Sequence, residues 1–158
     1  DRAMRSLQRQ LQDREVHKTY LARVHGVPKP REGTIEAPVG RHPKNRKKMA
    51  VVANGRESTT RYRVREEVAG ASYALLEVEP VTGRTHQIRV HLAAIGHPVV
   101  GNNLYGAPQQ PALGRFFLHS HQIVFAHPSS GRPLTLTSPL APELAAFLSG
   151  IMGPKYIP

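Results

Sequence analysis

The chain has no cysteine and no tryptophan, and only two of its 158 residues are aspartates, Asp1 and Asp13. Without cysteine, disulfides and thiolate metal sites are excluded, and a cytoplasmic setting is expected. Without a nearby aspartate to orient a histidine base, and without a G-x-S-x-G turn, a Ser-His-Asp hydrolase has no support. Ser120, set between His119 and His121, therefore does not read as a nucleophile. No run of 18 apolar residues occurs, so neither a membrane helix nor a membrane partner is expected. The first twenty residues, DRAMRSLQRQLQDREVHKTY, lack the apolar centre and cleavage site of a secretory leader. Neither NGRESTT nor GNNLYG has the spacing of a nucleotide-binding P-loop.

What is present in excess is positive charge. The chain carries 22 Lys and Arg against 11 Asp and Glu, a net of +11. Residues 1–65 hold 17 basic and six acidic residues, whereas residues 66–158 hold five of each. The whole excess therefore lies in the first part of a chain of one domain's length. A solubilising surface would tolerate an even spread, while a one-sided excess is the footprint of a polyanionic partner.

Periodicity gives the elements. Met4, Leu7 and Leu11 share one helical face over residues 1–13, with Asp1 placed to cap the start. EVHKTYLARVHG alternates as a strand ending at Gly26. Residues 27–48 are rich in Pro, Gly and basic residues and read as a loop, with a short strand at Thr34–Ala37. Two strands, 59–68 and 72–81, are expected to pair through an Ala-Gly-Ala turn at 69–71. A helix is expected from an N-cap at Thr85 to Gly96, since Ile88, Leu92 and Ile95 recur at helical spacing. A strand over RFFLHSHQIVFAHP, a turn, a strand over LTLTSP and a final helix over APELAAFLSG follow, with residues 151–158 as a tail. That order predicts an α+β domain with a mixed, mainly antiparallel sheet flanked by a few helices.

The stretch TGRTHQIRVHLAAIGHPVVGNNLYG, residues 82–106, carries more chemistry than an amphipathic helix requires. His86 and His91 are five residues apart, which on a helix turns them about 140° from one another, and H-E-x-x-H is absent. His119 and His121 could offer two nitrogens from one strand face, but no third ligand is in view. Structural, hydrogen-bonded histidines are thus the simpler reading, and a His-based metalloenzyme would have to bind zinc or iron. Arg89 falls about 100° from the apolar stripe, at the core boundary, where its fork could hold a carboxylate or phosphate or merely snorkel to solvent. Tyr20 in HKTYLA could be a core tyrosine or an aromatic platform for a base.

Three stretches, HKTYLARVHG, TGRTHQIRVHLAAIGHPVVGNNLYG and FLHSHQIVFAHPSSG, resemble the RluA-type ribosomal large-subunit pseudouridine synthases in order and spacing, from Arg2 to about Leu148. GRTHQIRVH is the most specific of these signals. The resemblance implies a pseudouridine synthase-like fold and an enzyme that isomerises uridine in RNA without cofactor or metal. It implies that Tyr20 stacks on the target base and shares in proton transfer, and that Arg89 pairs with a catalytic aspartate. A buried carboxylate that must stay ionised needs such a bidentate partner, and a flipped base regains stacking on an aromatic ring. RNA, ribosomal or transfer, is the expected partner of a monomer. Its backbone is expected to meet Lys18, Arg41, Lys44, Arg46, Lys47, Lys48, Arg84 and His86.

The sequence departs from the family at one decisive place. The family's nucleophilic aspartate lies in an R-L-D motif upstream of the helix that opens this sequence, and neither Asp1 nor Asp13 follows R-L. Residues 1–150 are therefore expected to be the C-terminal part of a catalytic domain that lacks its nucleophile. A non-catalytic RNA-binding protein on the same scaffold is the alternative. Asn102 also stands where the family usually has aspartate.

Overall fold

In the computed structural model, which describes residues 1–67, 72–111 and 113–152, the chain forms a six-stranded sheet with three α-helices and a separate hairpin. Helix α1 spans Arg2–Gln12, strand β1 His17–His25, β2 Glu32–Glu36, β3 Val39–Arg41, β4 Met49–Val51, β5 Thr59–Glu67 and β6 Tyr73–Pro80. Helix α2 spans Gln87–Ala94, β7 Leu118–Ala126, β8 Pro133–Thr137 and α3 Pro142–Met152. The sheet runs β2-β5-β6-β1-β7-β8, and every neighbouring pair is antiparallel. The mixed sheet expected from sequence is thus antiparallel throughout its described pairs, within the α+β class.

β1 and its neighbour β6 lie at the centre of the sheet and are buried on both faces. Leu21, Ala22, Arg23 and Val24 are all buried, so the in-and-out alternation expected from sequence is replaced by a continuous buried run. Arg23 is held there among a Tyr73 ring 5.6 Å from its guanidinium carbon and the charge of Glu66. Leu75, Leu76 and Val78 of β6, Ile88 and Leu92 of α2, and Leu144 and Leu148 of α3 complete the core. Burying such side chains contributes on the order of 1.5–3 kcal/mol each.

Several sequence expectations need correction. α1 has its cap as expected, Asp1 accepting from the Ala3 amide at 2.8 Å, but its apolar face is not the buried one. Met4 and Leu11 are about half exposed, and the buried residue is Gln10. The Gln10 carboxamide donates to the Ala126 carbonyl at 2.9 Å and accepts from the Ala126 amide at 2.8 Å, completing the end of β7 as a strand would. The supposed loop 27–48 contains β2 and β3, and β3 pairs with β4, so the basic run 42–48 is a hairpin tip. Short strands in a Pro- and Lys-rich stretch leave no period to read. α3 reaches Met152, two residues into the expected tail, and the Ala-Gly-Ala turn lies outside the described residues.

Candidate active site

A cleft of about 470 Å³ opens between β1, the β6–α2 connection and the first turns of α2. Val16, just before β1, and Lys18 and Tyr20 on it line one side; Thr82, Arg84, His86, Gln87, Ile88 and Arg89 line the other, and Leu11, Arg14 and Leu118 also border the cleft. Alternation on β1 places residues 16, 18 and 20 on one face. The β1–β7 register shifts between Thr19 and Tyr20, with the extra residue, His121, on β7. Tyr20 and Arg89, joined in the sequence only by resemblance, thus line one cavity. So do Lys18, Arg84 and His86.

Arg89 does not snorkel. Its guanidinium carbon lies 4.1 Å from the centre of the Phe116 ring and 5.1 Å from that of Tyr105. Nη2 donates to Asn102 Oδ1 at 2.9 Å, while the buried Nε has no acceptor among the described residues. Burial pushes the guanidinium below the ordinary arginine range, against the opposing effect of Tyr105. The position is one of a desolvated cation with a neutral acceptor and donor capacity left over, and an anion would relieve it. Asn102 itself is almost fully buried. It is placed by Gly101, whose φ of +82° favours glycine and whose Cβ, if present, would sit 2.5 Å from the Arg115 carbonyl oxygen.

The α2 start differs from the expectation. Thr85 is not the cap; the helix begins after His86, whose φ of 56° and ψ of 18° are left-handed. A non-glycine residue there costs on the order of 1 kcal/mol. Gln87 instead secures the turn. Its Oε1 accepts from the Thr82 hydroxyl at 2.6 Å and the Arg84 amide at 3.0 Å, and its Nε2 donates to Thr59 O at 2.8 Å and Thr60 Oγ1 at 2.9 Å. The Thr60 hydroxyl in turn donates to His91 Nδ1 at 2.7 Å, and His91 Nε2 donates to the Ala37 carbonyl at 2.9 Å. This chain leaves His91 neutral, and burial lowers its pKa although the Ala37 bond works the other way. As expected, Gly96 follows the helix in the left-handed conformation.

The other expected RNA-contacting residues are elsewhere. Arg41, Lys44, Arg46, Lys47 and Lys48 belong to the β3–β4 hairpin and do not line the cleft. The hairpin tip is organised by itself: His42 Nδ1 accepts from the Lys44 and Asn45 amides, and Asn45 Oδ1 accepts from the Lys47 amide. Its charge still reaches the cleft, because Arg41, after burial and Arg89, helps lower the pKa of His86. Neither aspartate is in the cavity. Asp1 caps α1 and Asp13 follows it. Among the described residues no three His, Asp or Glu side chains are grouped to hold a metal ion; His119 and His121 both bond the Ser138 carbonyl.

Comparison with known proteins gives the family. The RNA pseudouridylate synthase family model matches residues 1–94, more than half of the chain. The chain belongs to that family, of the RluA type. It is 48% identical over 149 residues to a protein named as an uncharacterized RNA pseudouridine synthase of Chloroflexus aurantiacus, covering 94% of this chain and 46% of that one. It is 45% identical to the ribosomal large subunit pseudouridine synthase D of Nitrosomonas europaea, covering 92% and 44%. The solved structure of human RNA pseudouridylate synthase domain containing 1 superposes with a TM-score of 0.74 at 31% identity, covering 89% of this chain and 62% of that one. The chain spans about half the length of the curated relatives it matches. No helix among the described residues is long and apolar enough to cross a membrane.

Proposed function

We propose that residues 1–150 are the part of an RNA pseudouridine synthase catalytic domain that receives the flipped uridine, and that its attacking carboxylate is supplied from outside these 158 residues. The reaction is an isomerisation. The bond from C1′ to N1 of uracil breaks, the base turns while bound, C1′ bonds to C5, and the proton at C5 is transferred away as N1 is protonated. Nothing is gained or lost overall. The observation that carries this reading is the cleft itself, where the Tyr20 side chain and a desolvated Arg89 with an unused donor line the same cavity. Arg89 would hold the carboxylate ionised through its fork, and Tyr20 would take the stacking face of the base and share in proton transfer. Lys18, Arg84 and His86 would meet the flipped nucleotide and its phosphates, while Arg41, Lys44, Arg46, Lys47 and Lys48 would hold the adjoining strand.

The names of the relatives favour large-subunit ribosomal RNA as substrate, with transfer RNA as the second choice, and both are met in the cytoplasm. The experiment is tritium release from RNA labelled at uridine C5. The 158-residue chain alone is expected to release none, and the reading frame extended upstream to an R-L-D motif is expected to turn over. Turnover by the chain alone would overturn the placement of the nucleophile. An upstream frame without that motif would favour a non-catalytic RNA-binding protein on this scaffold.

A further inference from the structure

Tyr105 was not singled out by any motif, yet three parts of the site meet on it. It ends the short 3₁₀ turn Asn103–Tyr105 that follows Asn102, and its ring lies 5.1 Å from the Arg89 guanidinium carbon. Its hydroxyl is 2.9 Å from the Met49 amide nitrogen, which can only donate, and 2.6 Å from Nδ1 of His86. A phenol has a single proton to give. If His86 carried its proton on Nδ1, the tyrosine proton would be left without an acceptor among the described residues. The arrangement that satisfies every partner has the hydroxyl accepting from Met49 and donating to His86. The second ring nitrogen of His86 then bears the proton, has no partner among the described residues, and belongs to a ring that lines the cleft.

We propose that Tyr105 is a positioning residue: its hydroxyl fixes His86 as the Nε2–H tautomer, a hydrogen-bond donor for a carbonyl or phosphate oxygen of the bound nucleotide, and ties the basic hairpin to the start of α2. Two further features support it. His86 sits in a left-handed conformation that is uncommon for a non-glycine residue, and the Tyr105 hydroxyl is the hydrogen-bond partner of its side chain. Met49 opens β4, directly after Lys47 and Lys48, so the same oxygen sets the hairpin against the cleft. The groups acting on His86 are Tyr105, Arg89 of α2 and Arg41 of β3. Both cations, like burial, favour the neutral ring that the tautomer requires. The identity of the ligand rests on the proposed function; the tautomer and the tie do not.

The test uses the ¹⁵N-labelled 158-residue chain. Long-range proton–nitrogen spectra are expected to show His86 as the Nε2–H tautomer. Tyr105→Phe keeps the ring under Arg89 and removes only the hydroxyl. It should raise the His86 titration midpoint by about half a unit or more and speed hydrogen exchange at the Met49 amide by about tenfold. A wild-type Nδ1–H tautomer, or a variant with both midpoint and exchange unchanged, overturns the proposal, and the tautomer decides it even if the variant does not fold. A uridine-containing RNA then separates the two readings. Binding should move the Lys44–Lys48 amides and His86 together in the wild type, and the hairpin alone in Tyr105→Phe. If RNA moves neither, the proposed function fails while the tautomer and exchange still judge Tyr105.

Discussion

The basic hairpin and the cleft beside it carry positive charge under opposite physical conditions. On the hairpin, Lys44, Arg46 and Lys47 are exposed, and the tip is shaped by its own backbone and the side chains of His42 and Asn45. Those charges are solvated, screened by salt and replaceable by one another. In the cleft, Arg89 is desolvated, sandwiched by Phe116 and Tyr105 and aimed by Asn102. Its place is fixed by two rings and the Asn102 carboxamide, and the turn that precedes it by the hydrogen bonds of Gln87. The first arrangement suits a long, sequence-blind polyanion, and the second suits one anion in one geometry.

The sharpest way to break that contrast is Gln87→Leu. All four hydrogen-bonding capacities of the Gln87 amide are used, so the change strands several buried groups. A stability loss of about 4 kcal/mol is expected in chemical denaturation, since each buried group left unmade costs about 1–3 kcal/mol. Reversing Lys44, Arg46, Lys47 and Lys48 together should do the converse. RNA affinity should fall about a hundredfold at low salt and the salt dependence should flatten by about three to four in slope, with the unfolding midpoint unchanged. If stability follows the hairpin charges, the two regions are not separable as described.

Gly101→Ala is expected to cost about 2 kcal/mol, because a left-handed backbone and a close carbonyl act together. Gly96 has a similar φ but open space around its Cβ position, so Gly96→Ala should cost about half as much. The smallest effect concerns pH. Burial lowers the pKa of His25, His86 and His91 below the ordinary 6.5. Below that value the unfolded chain therefore binds more protons than the folded one, and stability should fall as pH drops from 6.5. Replacing His91 by Gln should flatten that decline in a pH series of denaturation curves; an unchanged slope would mean that His91 is not held neutral.

How much of this was written in local sequence differs between the two regions. Tyr20 and Arg89 could be placed because each sits in a stretch whose residues and spacing carry the family resemblance. The existence of β1 and the glycine end of α2 were equally local, although the burial of β1 does not alternate. Gln87, Asn102 and Tyr105 lie in the same stretch, and Asn102 stood out as a departure from the family, but their roles were not legible because each depends on a partner 13 to 56 residues away. The cap expected at Thr85 failed because the helix starts one residue later, after a left-handed His86, in a turn that Gln87 holds through Thr59 and Thr60, 28 and 27 residues away. The Met4 and Leu11 face predicted burial from period alone, but a glutamine bound to β7 fixed the helix instead. Three-residue strands such as β3 and β4 are below the length at which a period exists.

The most direct measurement is tritium release by the full reading frame containing these residues, comparing wild type with Arg89→Lys. Lysine keeps the charge but not the fork or the ring stacking, so turnover should drop about a hundredfold or more while RNA affinity and thermal transition stay in place. Wild-type turnover by Arg89→Lys would contradict the claim that this guanidinium holds the reacting carboxylate.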